Sequence, residues 1–305
     1  MNTAVEVKDL TKRYGELMAV NKVNFTIEEG EIFGLLGPNG AGKTTTLEMI
    51  EGLRKPDGGS IQVCGIDVTR RAGDIKEIIG VQLQSTSIYD RIKVGEAIDL
   101  FSGYYHKSLP NTEVLHEVSL DEKKDSFVQS ISGGQKQRLA LALALVNDPR
   151  VIFLDEPTTA LDPQARRNIW EIIEGLSKKE KTIILNTHYM EEAERLCERV
   201  GIMDHGQIIA LDTPASLISK QNMDSAVEFT SLDGVGKEFF EKLPKVDKVS
   251  QNGQIFVLHT REASSLLTEI VKLQEHNNLH LENITTRSAI LKDVFLERTG
   301  RALRE

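Results

Sequence analysis

The 305-residue sequence is poor in cysteine, since Cys64 and Cys197 are the only two and no CxxC spacing occurs. Two thiols so far apart predict neither a disulfide framework nor a zinc site, and they favour a reducing compartment. Positive charge is also scarce: 37 Lys and Arg residues stand against 46 Asp and Glu residues, for a net charge of −9. This acidic average argues against general affinity for nucleic acid or for an anionic membrane surface, so no nucleic-acid partner is expected.

Long apolar runs are missing as well. The longest, Leu139–Val146, is far short of the ~18 residues that a membrane-spanning helix needs. Residues Met1–Glu6 lack a basic region followed by an apolar core, so no secretory signal is expected. A role at a membrane would therefore require that another chain supply the membrane part.

A glycine-rich loop is the most informative stretch that is present: Gly37-Pro38-Asn39-Gly40-Ala41-Gly42-Lys43-Thr44-Thr45. Its glycines allow successive backbone N–H groups to point at one spot, where the following helix also presents its positive end. Lys43 is placed to reach the β- and γ-phosphates of a nucleotide, and the Thr44 hydroxyl is placed to ligate Mg²⁺. The alternative is a flexible glycine-rich turn. An apolar run before the loop and a helical run after it favour a nucleoside triphosphate site.

The first two thirds of the sequence alternate short apolar strands with helical patterns, which predicts an α/β layer architecture. The predicted strands are Ala4–Val7, Lys22–Ile27, Ile32–Leu36, Ile78–Gln82, Val151–Leu154, Thr182–Asn186 and Val200–Asp204. The predicted helices are Lys43–Glu51, Gly134–Val146, Pro163–Ser177 and Met190–Glu198. Three strands are apolar almost throughout, as in a parallel sheet covered on both faces.

Two segments depart from this alternation. Residues 85–130 are polar and helix-leaning, and we interpret them as a small helical insertion that returns to the main body. After about residue 220 the predicted order is βαββαβ followed by a helix, with a hairpin turn at Gln251-Asn252-Gly253. That order is typical of the ferredoxin-like motif, so residues 221–305 are expected to form an accessory α+β domain.

A pair of carboxylates follows a strand that is otherwise apolar: Asp155 and Glu156 come directly after Val151–Leu154. A strand this apolar is not expected to finish in two acids unless its end opens onto a site. Asp155 is placed to hold Mg²⁺, directly or through water, and Glu156 to orient or deprotonate an attacking water. The alternative, an acidic cap for the helix that starts near Pro163, is weakened by the phosphate loop in the same chain.

A second glycine pair lies in Ser132-Gly133-Gly134-Gln135, at the start of a helical pattern, and forms a further anion-binding helix end. In isolation, a serine cap with glycines in the turn is the simpler explanation. Beside the other two motifs, the segment predicts a second γ-phosphate contact in a chain with one phosphate loop. Two copies facing head to tail resolve this mismatch, because each lends its Ser132 segment to the loop of the other.

Together these motifs resemble those of the nucleotide-binding subunits of ATP-binding cassette (ABC) transporters. The family signature, usually Leu-Ser-Gly-Gly-Gln, is similar to Ile131–Gln135 here, with one aliphatic residue in place of another. The resemblance covers residues 1–220 and implies a P-loop ATPase core with a helical subdomain at about residues 85–148. It also implies that ATP and Mg²⁺ bind, and that Lys43 and Glu156 act in ATP hydrolysis.

The same resemblance implies roles for four further residues. Tyr14 matches the aromatic residue that stacks on adenine, and Gln84 matches the glutamine that senses Mg²⁺ and the γ-phosphate. Their alternatives are a half-exposed strand aromatic and the nearby Gln82. Asp162 matches the loop that crosses to the other subunit, and His188 matches the catalytic histidine that touches the γ-phosphate. Each of these two could instead only cap a helix.

Within the family, Val81–Gln84, the single cassette and the ending Leu291–Arg301 are similar to drug-resistance-type exporter ATPases. The resemblance implies a subunit that powers export of a drug-like or lipid-like small molecule through a separate membrane permease. Gln84 and residues 85–91 would relay the nucleotide state to that permease. A homodimer is expected, in the cytoplasm, on the inner face of the cell membrane through its permease.

Two other protein classes share part of this pattern. A ribosome-acting or DNA-repair cassette protein carries the same motifs, but usually has two cassettes in one chain or a long coiled-coil insertion, and neither is visible here. A regulatory module that binds ATP without hydrolysing it is disfavoured because Glu156 and His188 are both present.

Overall fold

The computed structural model describes residues 2–84, 88–220, 225–277 and 279–299. The chain divides into two units, residues 1–211 and 212–305. The boundary predicted from the sequence, at residue 220, lies beyond this division and after a short helix. Each unit is described by itself.

The first unit begins with two long strands and then alternates strands with helices. Its strands are β1 (Thr3–Tyr14), β2 (Leu17–Glu28), β3 (Ile32–Leu36), β4 (Gly58–Val63), β5 (Ile66–Asp67), β6 (Ile79–Gln82), β7 (Val151–Asp155), β8 (Thr182–Asn186), β9 (Arg199–Asp204) and β10 (Gln207–Asp212). Its helices are α1 (Lys43–Ile50), α2 (Ala72–Ile78), α3 (Val94–Ser102), α4 (Asn111–Glu117), α5 (Gly133–Leu145), α6 (Pro163–Lys178) and α7 (Met190–Leu196).

A largely parallel sheet forms the centre of this unit, with the strand order β10-β9-β3-β8-β7-β6. Strands β9, β3, β8, β7 and β6 pair with one another in parallel. Every residue of β3 and β8 is buried, which confirms the predicted cover on both faces. Because parallel strands point the same way, the segments that follow β3, β6, β7 and β8 all begin at one edge of the sheet.

A second sheet, β2-β1-β4-β5, is antiparallel and shares a core with the central sheet. Phe25 of β2 stacks on Phe33 of β3 with 5.4 Å between ring centroids. Leu47, Met49 and Ile50 of α1 belong to the same core cluster. The helix after the glycine-rich loop is therefore anchored by its apolar side chains.

The predicted helical insertion is confirmed for residues 88–130, whereas residues 85–87 lie outside the described part. It contains α3, α4 and two 3₁₀ turns, Asp121–Lys123 and Val128–Ser130. In the described part of this segment, extended pairing is limited to one isolated bridge between Lys93 and Phe127.

The second unit contains a four-stranded antiparallel sheet with helices. Its elements are α8 (Pro214–Ser219), β11 (Ser225–Ser231), α9 (Lys237–Phe240), β12 (Lys248–Asn252), β13 (Ile255–Thr260), α10 (Ala263–Asn277), β14 (Leu281–Ser288) and α11 (Leu291–Thr299). The strand order β12-β13-β11-β14 places the first strand of the unit between the third and the fourth. From β11 to β14 the elements follow the predicted βαββαβ order of the ferredoxin-like motif.

A close approach between β6 and α5 generates a stability prediction. A Cβ added at Gly80 would lie 1.9 Å from the backbone oxygen of Ala144 and 3.0 Å from Pro149. Backbone cannot move aside cheaply, so Gly80→Ala is expected to lower the free energy of unfolding by at least about 2 kcal/mol. Urea unfolding followed by the fluorescence of Trp170, the single, buried tryptophan, measures this change.

The matched control is Gly73→Ala in α2, where an added Cβ meets no atom within 4 Å. Alanine favours a helix over glycine by up to about 1 kcal/mol, so this variant should be neutral or slightly more stable. Equal unfolding midpoints for the two variants would contradict the close packing of α5 against β6.

Candidate functional site

The glycine-rich loop joins β3 to α1 and is fixed by backbone contacts. Gly42, at the start of α1, has φ 102°, and a Cβ there would lie 2.3 Å from the oxygen of Ala19. Only glycine satisfies both constraints. The N–H of Gly206, in the turn between β9 and β10, donates to the oxygen of Ala41 at 2.9 Å. Neighbouring strands thus hold the loop in shape.

Lys43 is folded back over this loop. Its side chain is buried, and Nζ donates to the oxygens of Gly37 (2.7 Å) and Pro38 (3.2 Å). Burial lowers the pKa of Lys43 below its usual value, while the charges of Glu156 and Asp155 oppose that shift. The ammonium group is therefore electrostatically coupled to the two carboxylates, as expected for one site.

The other loop positions differ in exposure. Asn39, Gly40 and Thr44 are exposed and Thr45 is half-buried. Thr46, the next residue, is buried and donates its hydroxyl to the oxygen of Gly42 at 2.9 Å. The Thr44 hydroxyl, predicted to ligate metal, is thus accessible, whereas the Thr46 hydroxyl stabilises the first turn of α1.

Asp155 is the last residue of β7 and pairs across the sheet with Asn186, the last residue of β8. The side-chain amide of Asn186 donates to Asp155 Oδ1 at 2.5 Å. Burial raises the pKa of Asp155, the Asn186 hydrogen bond opposes this, and the charge of Glu156 adds to the rise. Protein groups stabilise the negative charge of the Asp155 carboxylate only in part. Binding of a cation beside this carboxylate would therefore be favourable.

Glu156 is at the centre of the arrangement. Its Oε1 lies 3.1 Å from His188 Nδ1, and its Oε2 accepts from Gln84 Nε2 (2.9 Å) and from Thr159 Oγ1 (3.1 Å). Its backbone has φ 47°, a left-handed conformation that costs a non-glycine residue of order 1 kcal/mol. The N–H of Glu156 donates to Asn186 O at 2.8 Å. The structure thus brings three predicted site residues, from three different strand ends, into direct contact.

The two glutamines at the end of the predicted strand Ile78–Gln82 differ in placement. Gln84 is exposed and bonded to Glu156. Gln82 is buried within β6, and neither polar atom of its amide has a hydrogen-bond partner in the described part of the chain. The geometry favours Gln84 for the sensing role.

The Ser132 segment opens α5 with reciprocal hydrogen bonds. Ser132 Oγ accepts from the N–H of Gln135 at 3.3 Å, and Gln135 Oε1 accepts from the N–H of Ser132 at 2.9 Å. Ser132 and Gly133 are exposed, and Gly134 is half-buried. Within the described residues, no hydrogen bond or ion pair joins this segment to residues 37–45. The predicted contact between the two motifs is therefore not made inside the described part of one chain.

Tyr14 and Asp162 both have the structural placement that their simpler alternatives predict, a half-exposed strand aromatic and a helix cap. Neither placement conflicts with the role predicted for the residue in the site. Tyr14 ends β1 and is 40% exposed, with the Arg54 guanidinium carbon 5.5 Å from its ring centroid. Asp162 caps α6, since its Oδ1 accepts from the N–H groups of Gln164 (3.0 Å) and Ala165 (2.9 Å). The capping role of Asp162 is observed, and a role toward a second subunit stays a prediction.

Comparison with known proteins identifies the family. The family model described as "ABC transporter" matches residues 20–159. The Nod factor export ATP-binding protein I of Paraburkholderia xenovorans is 39% identical over 307 residues, covering 99% of each chain. The protein of that name from Ralstonia nicotianae is 37% identical, covering 99% of this chain and 95% of the relative.

The chain belongs to the ABC transporter family of ATP-binding subunits.

Solved ABC cassettes have the same fold. The dimeric post-hydrolysis structure of the cassette MJ0796, bound to ADP and Pi, is 28% identical with a TM-score of 0.62, covering 68% of this chain and 98% of that one. For cbiO1 of Clostridium perfringens, part of the ABC transporter complex cbiONQ, the identity is 28% and the TM-score 0.65, covering 72% and 92%.

Membership in this family makes the chain an ATP-binding and ATP-hydrolysing transporter subunit. ABC cassettes form dimers and act with a membrane permease. In the described ranges of this chain, no helix combines the length and the apolar character that crossing a membrane requires.

Sequence reasoning missed two residues beside the ABC nucleotide site. Asn186 appears in the sequence analysis only as the last residue of a predicted strand. Its amide, at the end of a strand that could pair with the strand of Asp155, is the signal that could have pointed to the site. Glu51, which follows α1, gave no signal because its 6% exposure is set by tertiary packing. Burial raises the pKa of Glu51 to about 7, and the charges of Asp155 and Glu48 add to the rise.

The buried carboxyl of Glu51 predicts a pH-dependent stability. Its pKa is about 7 in the folded chain against an ordinary 4.5, so the folded state binds more protons between these values and loses stability as the pH rises through them. Glu51→Gln removes this titration. At about 1.4 kcal/mol per pKa unit, the variant should gain on the order of 3 kcal/mol over the native chain at pH 8 and little near pH 4.5.

Urea unfolding at both pH values, in EDTA and without nucleotide, measures the difference. Glu16→Gln, at an exposed glutamate, is the control and should follow the native pH dependence. Parallel pH profiles for Glu51→Gln and the native chain would contradict the assignment.

Proposed function

We propose that this subunit hydrolyses ATP at a seam between two copies of the chain and thereby powers export through a separate membrane permease. The observation that supports it most is the placement of Glu156 between Gln84, Thr159 and His188, beside the Lys43 loop. Each contact comes from a different segment at the same edge of the sheet. Such convergence is what positioning a water against a phosphate requires.

The loop Gly37–Thr45 would hold the triphosphate through backbone N–H groups, with Lys43 neutralising the β- and γ-phosphates. Lys43 is already buried at this place, so exchanging its two carbonyl partners for phosphate oxygens requires no new burial of charge. Tyr14 would stack on the adenine, since its ring is partly exposed at a strand end.

The donor set fits Mg²⁺. Thr44 offers an exposed hydroxyl, Gln84 an amide oxygen and Asp155 a half-buried carboxylate whose pKa is raised by partial burial. Oxygen donors of these kinds suit a hard divalent cation. When bound, Mg²⁺ supplies positive charge against the phosphate oxygens.

Glu156 would accept a proton from the attacking water or orient it, while His188 steadies the γ-phosphate. The Gln84 and Thr159 bonds fix Oε2, and His188 fixes the side of Oε1, so the carboxylate has few orientations left. Preorganisation of this kind lowers the entropy lost on reaching the transition state.

A second copy would complete the site with Ser132–Gln135. In one chain Ser132 and Gly133 are exposed, and the N–H groups of Ser132 and Gln135 donate within the segment. The Ser132 hydroxyl proton and the N–H groups of Gly133 and Gly134, in the first turn of α5, would then be offered to another molecule. Asp162 would approach the same seam from the loop after Glu156. ATP would then hold two copies together and hydrolysis would loosen them, which is the mechanical output.

The relatives named Nod factor export ATP-binding protein I support export as the direction of transport. We propose a drug-like or lipid-like small molecule as the cargo of this chain. Gln84 and residues 88–91 would relay the state of the site to the permease. Residues 85–87 of the predicted relay lie outside the described residues. The chain would then work in the cytoplasm, on the inner face of the cell membrane.

The role of Glu156 predicts a separation of binding from turnover. Glu156→Gln keeps the size of the side chain and leaves Gln84 in place beside it. ATP should therefore still bind, and bound ATP should trap a dimer. Turnover should fall by about two orders of magnitude or more. Size exclusion with ATP and phosphate release measure the two quantities, with Glu171→Gln, at an exposed residue of α6, as control. Native-like turnover in Glu156→Gln would refute the role.

The shared seam predicts complementation between two inactive variants. Lys43→Ala damages the phosphate loop, and Ser132→Arg blocks the exposed signature segment. A mixed dimer keeps one intact site, formed by the loop of one chain and the signature of the other. Mixing the two variants should restore on the order of a quarter of the native ATPase rate, since about half of random dimers are mixed. If each nucleotide were held within one chain, the mixture would stay as inactive as either variant alone.

A further inference from the structure

A fully buried carboxylate lies near the proposed site but outside it. Glu192 of α7 has 0% exposure, and its Oε1 accepts from Thr158 Oγ1 at 2.8 Å and from Trp170 Nε1 at 2.9 Å. Among the described residues, no Lys, Arg or His lies within ion-pair distance of it, and the charge of Arg166 acts on it only from farther away. A charge buried without a paired cation is costly, and apolar residues of the same volume usually stabilise a core better. Core packing alone therefore does not account for a glutamate here.

One donor to Glu192 belongs to the segment that carries the catalytic glutamate, and the other belongs to the helix that follows that segment. Thr158 lies two positions after Glu156, and its neighbour Thr159 donates to Glu156 Oε2 at 3.1 Å. Trp170 lies on α6, the helix that Asp162 caps. A single oxygen of Glu192 thus joins the beginning of the loop between β7 and α6 to the helix at the end of that loop.

The same carboxylate is linked to the segment that carries His188. The Thr187 side chain lowers the pKa of Glu192 against the effect of burial, and its hydroxyl accepts from the N–H of Tyr189 at 3.0 Å. Glu192 itself lies four positions after His188, in the helix α7 that begins at Met190. The Tyr189 ring lies 4.3 Å from the His188 ring, between centroids. His188 is therefore flanked by two residues that bond to each other, and the helix that follows them carries Glu192.

A second contact ties α6 to this segment. The Arg166 guanidinium carbon lies 4.4 Å from the Tyr189 ring centroid, close enough for a cation–π interaction. The loop after Glu156 and the loop before α7 are therefore held at two points, one buried and one partly exposed.

We propose that Glu192 is a positioning residue that fixes Glu156 and His188 relative to each other and couples both to the loop ending at Asp162. The inference rests on the proposed roles of Glu156 and His188. In this arrangement, a shift of residues 157–162 on contact with a second copy moves Thr158. Glu192 passes that shift to the His188 segment. In each copy, the pair Glu156 and His188 then responds to contact with the other copy through the buried carboxylate of Glu192.

The decisive comparison is Thr158→Val against Thr158→Ser in the full-length chain. Valine has nearly the shape of threonine but cannot donate to Glu192, whereas serine keeps the hydroxyl. We expect kcat for ATP to fall about tenfold or more in Thr158→Val, because small misplacements of catalytic groups have large effects on rate. The KM for ATP and the unfolding midpoint should stay close to native, and Thr158→Ser should keep most of the native kcat.

A second pair tests Glu192 itself. Glu192→Gln retains an acceptor oxygen and should keep a larger share of kcat than Glu192→Met, which retains none. In the Glu192→Met background, Thr158→Val should lower kcat no further, since the bond is already lost. Glu191→Gln, at the exposed neighbour on α7, is the control and should be native-like.

Equal kcat for Thr158→Val and Thr158→Ser would overturn the proposal, as would a parallel loss of ATP binding, unfolding midpoint and kcat, which would assign the cluster to folding. If Glu192→Met does not fold, the Thr158 pair decides alone. Failure of the proposed function would appear separately, as native-like turnover in Glu156→Gln.

Discussion

The organising constraint of this molecule is that strands β3, β7 and β8 are almost entirely buried. A buried strand cannot carry a charge in its middle, so the charged groups of the site lie at the strand ends and in the segments that follow them. Parallel pairing then brings those segments to one edge, where the Lys43 loop, Asp155–Glu156 and His188 meet. The site is a consequence of where the sheet ceases to be apolar.

At that edge, electrostatics and geometry act together. The raised pKa of Asp155 and the lowered pKa of Lys43 both originate mainly in burial, so each group gains from a partner of opposite charge. Glu156 has a strained backbone, yet its carboxylate is held from three sides. Strain at a residue whose surroundings fix it this firmly is a common feature of active sites.

Much of the core could be predicted because its signals are local. β3 and β8 have the predicted bounds, since their apolar runs end abruptly in polar or glycine residues. β1 and β2 run to 12 residues each, well beyond their apolar cores, because cross-strand pairing carries polar residues that no pattern marks. Left-handed residues and register shifts, as at Asp9 and Lys22, interrupt the alternation there.

The predicted site residues rest on motifs, which are also local. The motifs do not mark Asn186, Glu51 or Glu192, because the surroundings of these residues are formed by segments far apart in sequence. Glu192, for example, accepts a hydrogen bond from Thr158, 34 positions away. A buried acid looks the same as an exposed one in a sequence. Only the fold shows which glutamates of α7 are in water and which are in the core.

The two carbonyl bonds of Lys43 have a kinetic consequence. They keep the ammonium group in place and neutralise part of the negative charge of the Gly37 and Pro38 carbonyl oxygens. At the loop Gly37–Thr45, capture of nucleotide then needs an exchange of hydrogen-bond partners by the Lys43 side chain, since the loop backbone is already formed. A receptor already shaped in this way is limited by diffusional encounter and by release, not by the time needed to order its own backbone.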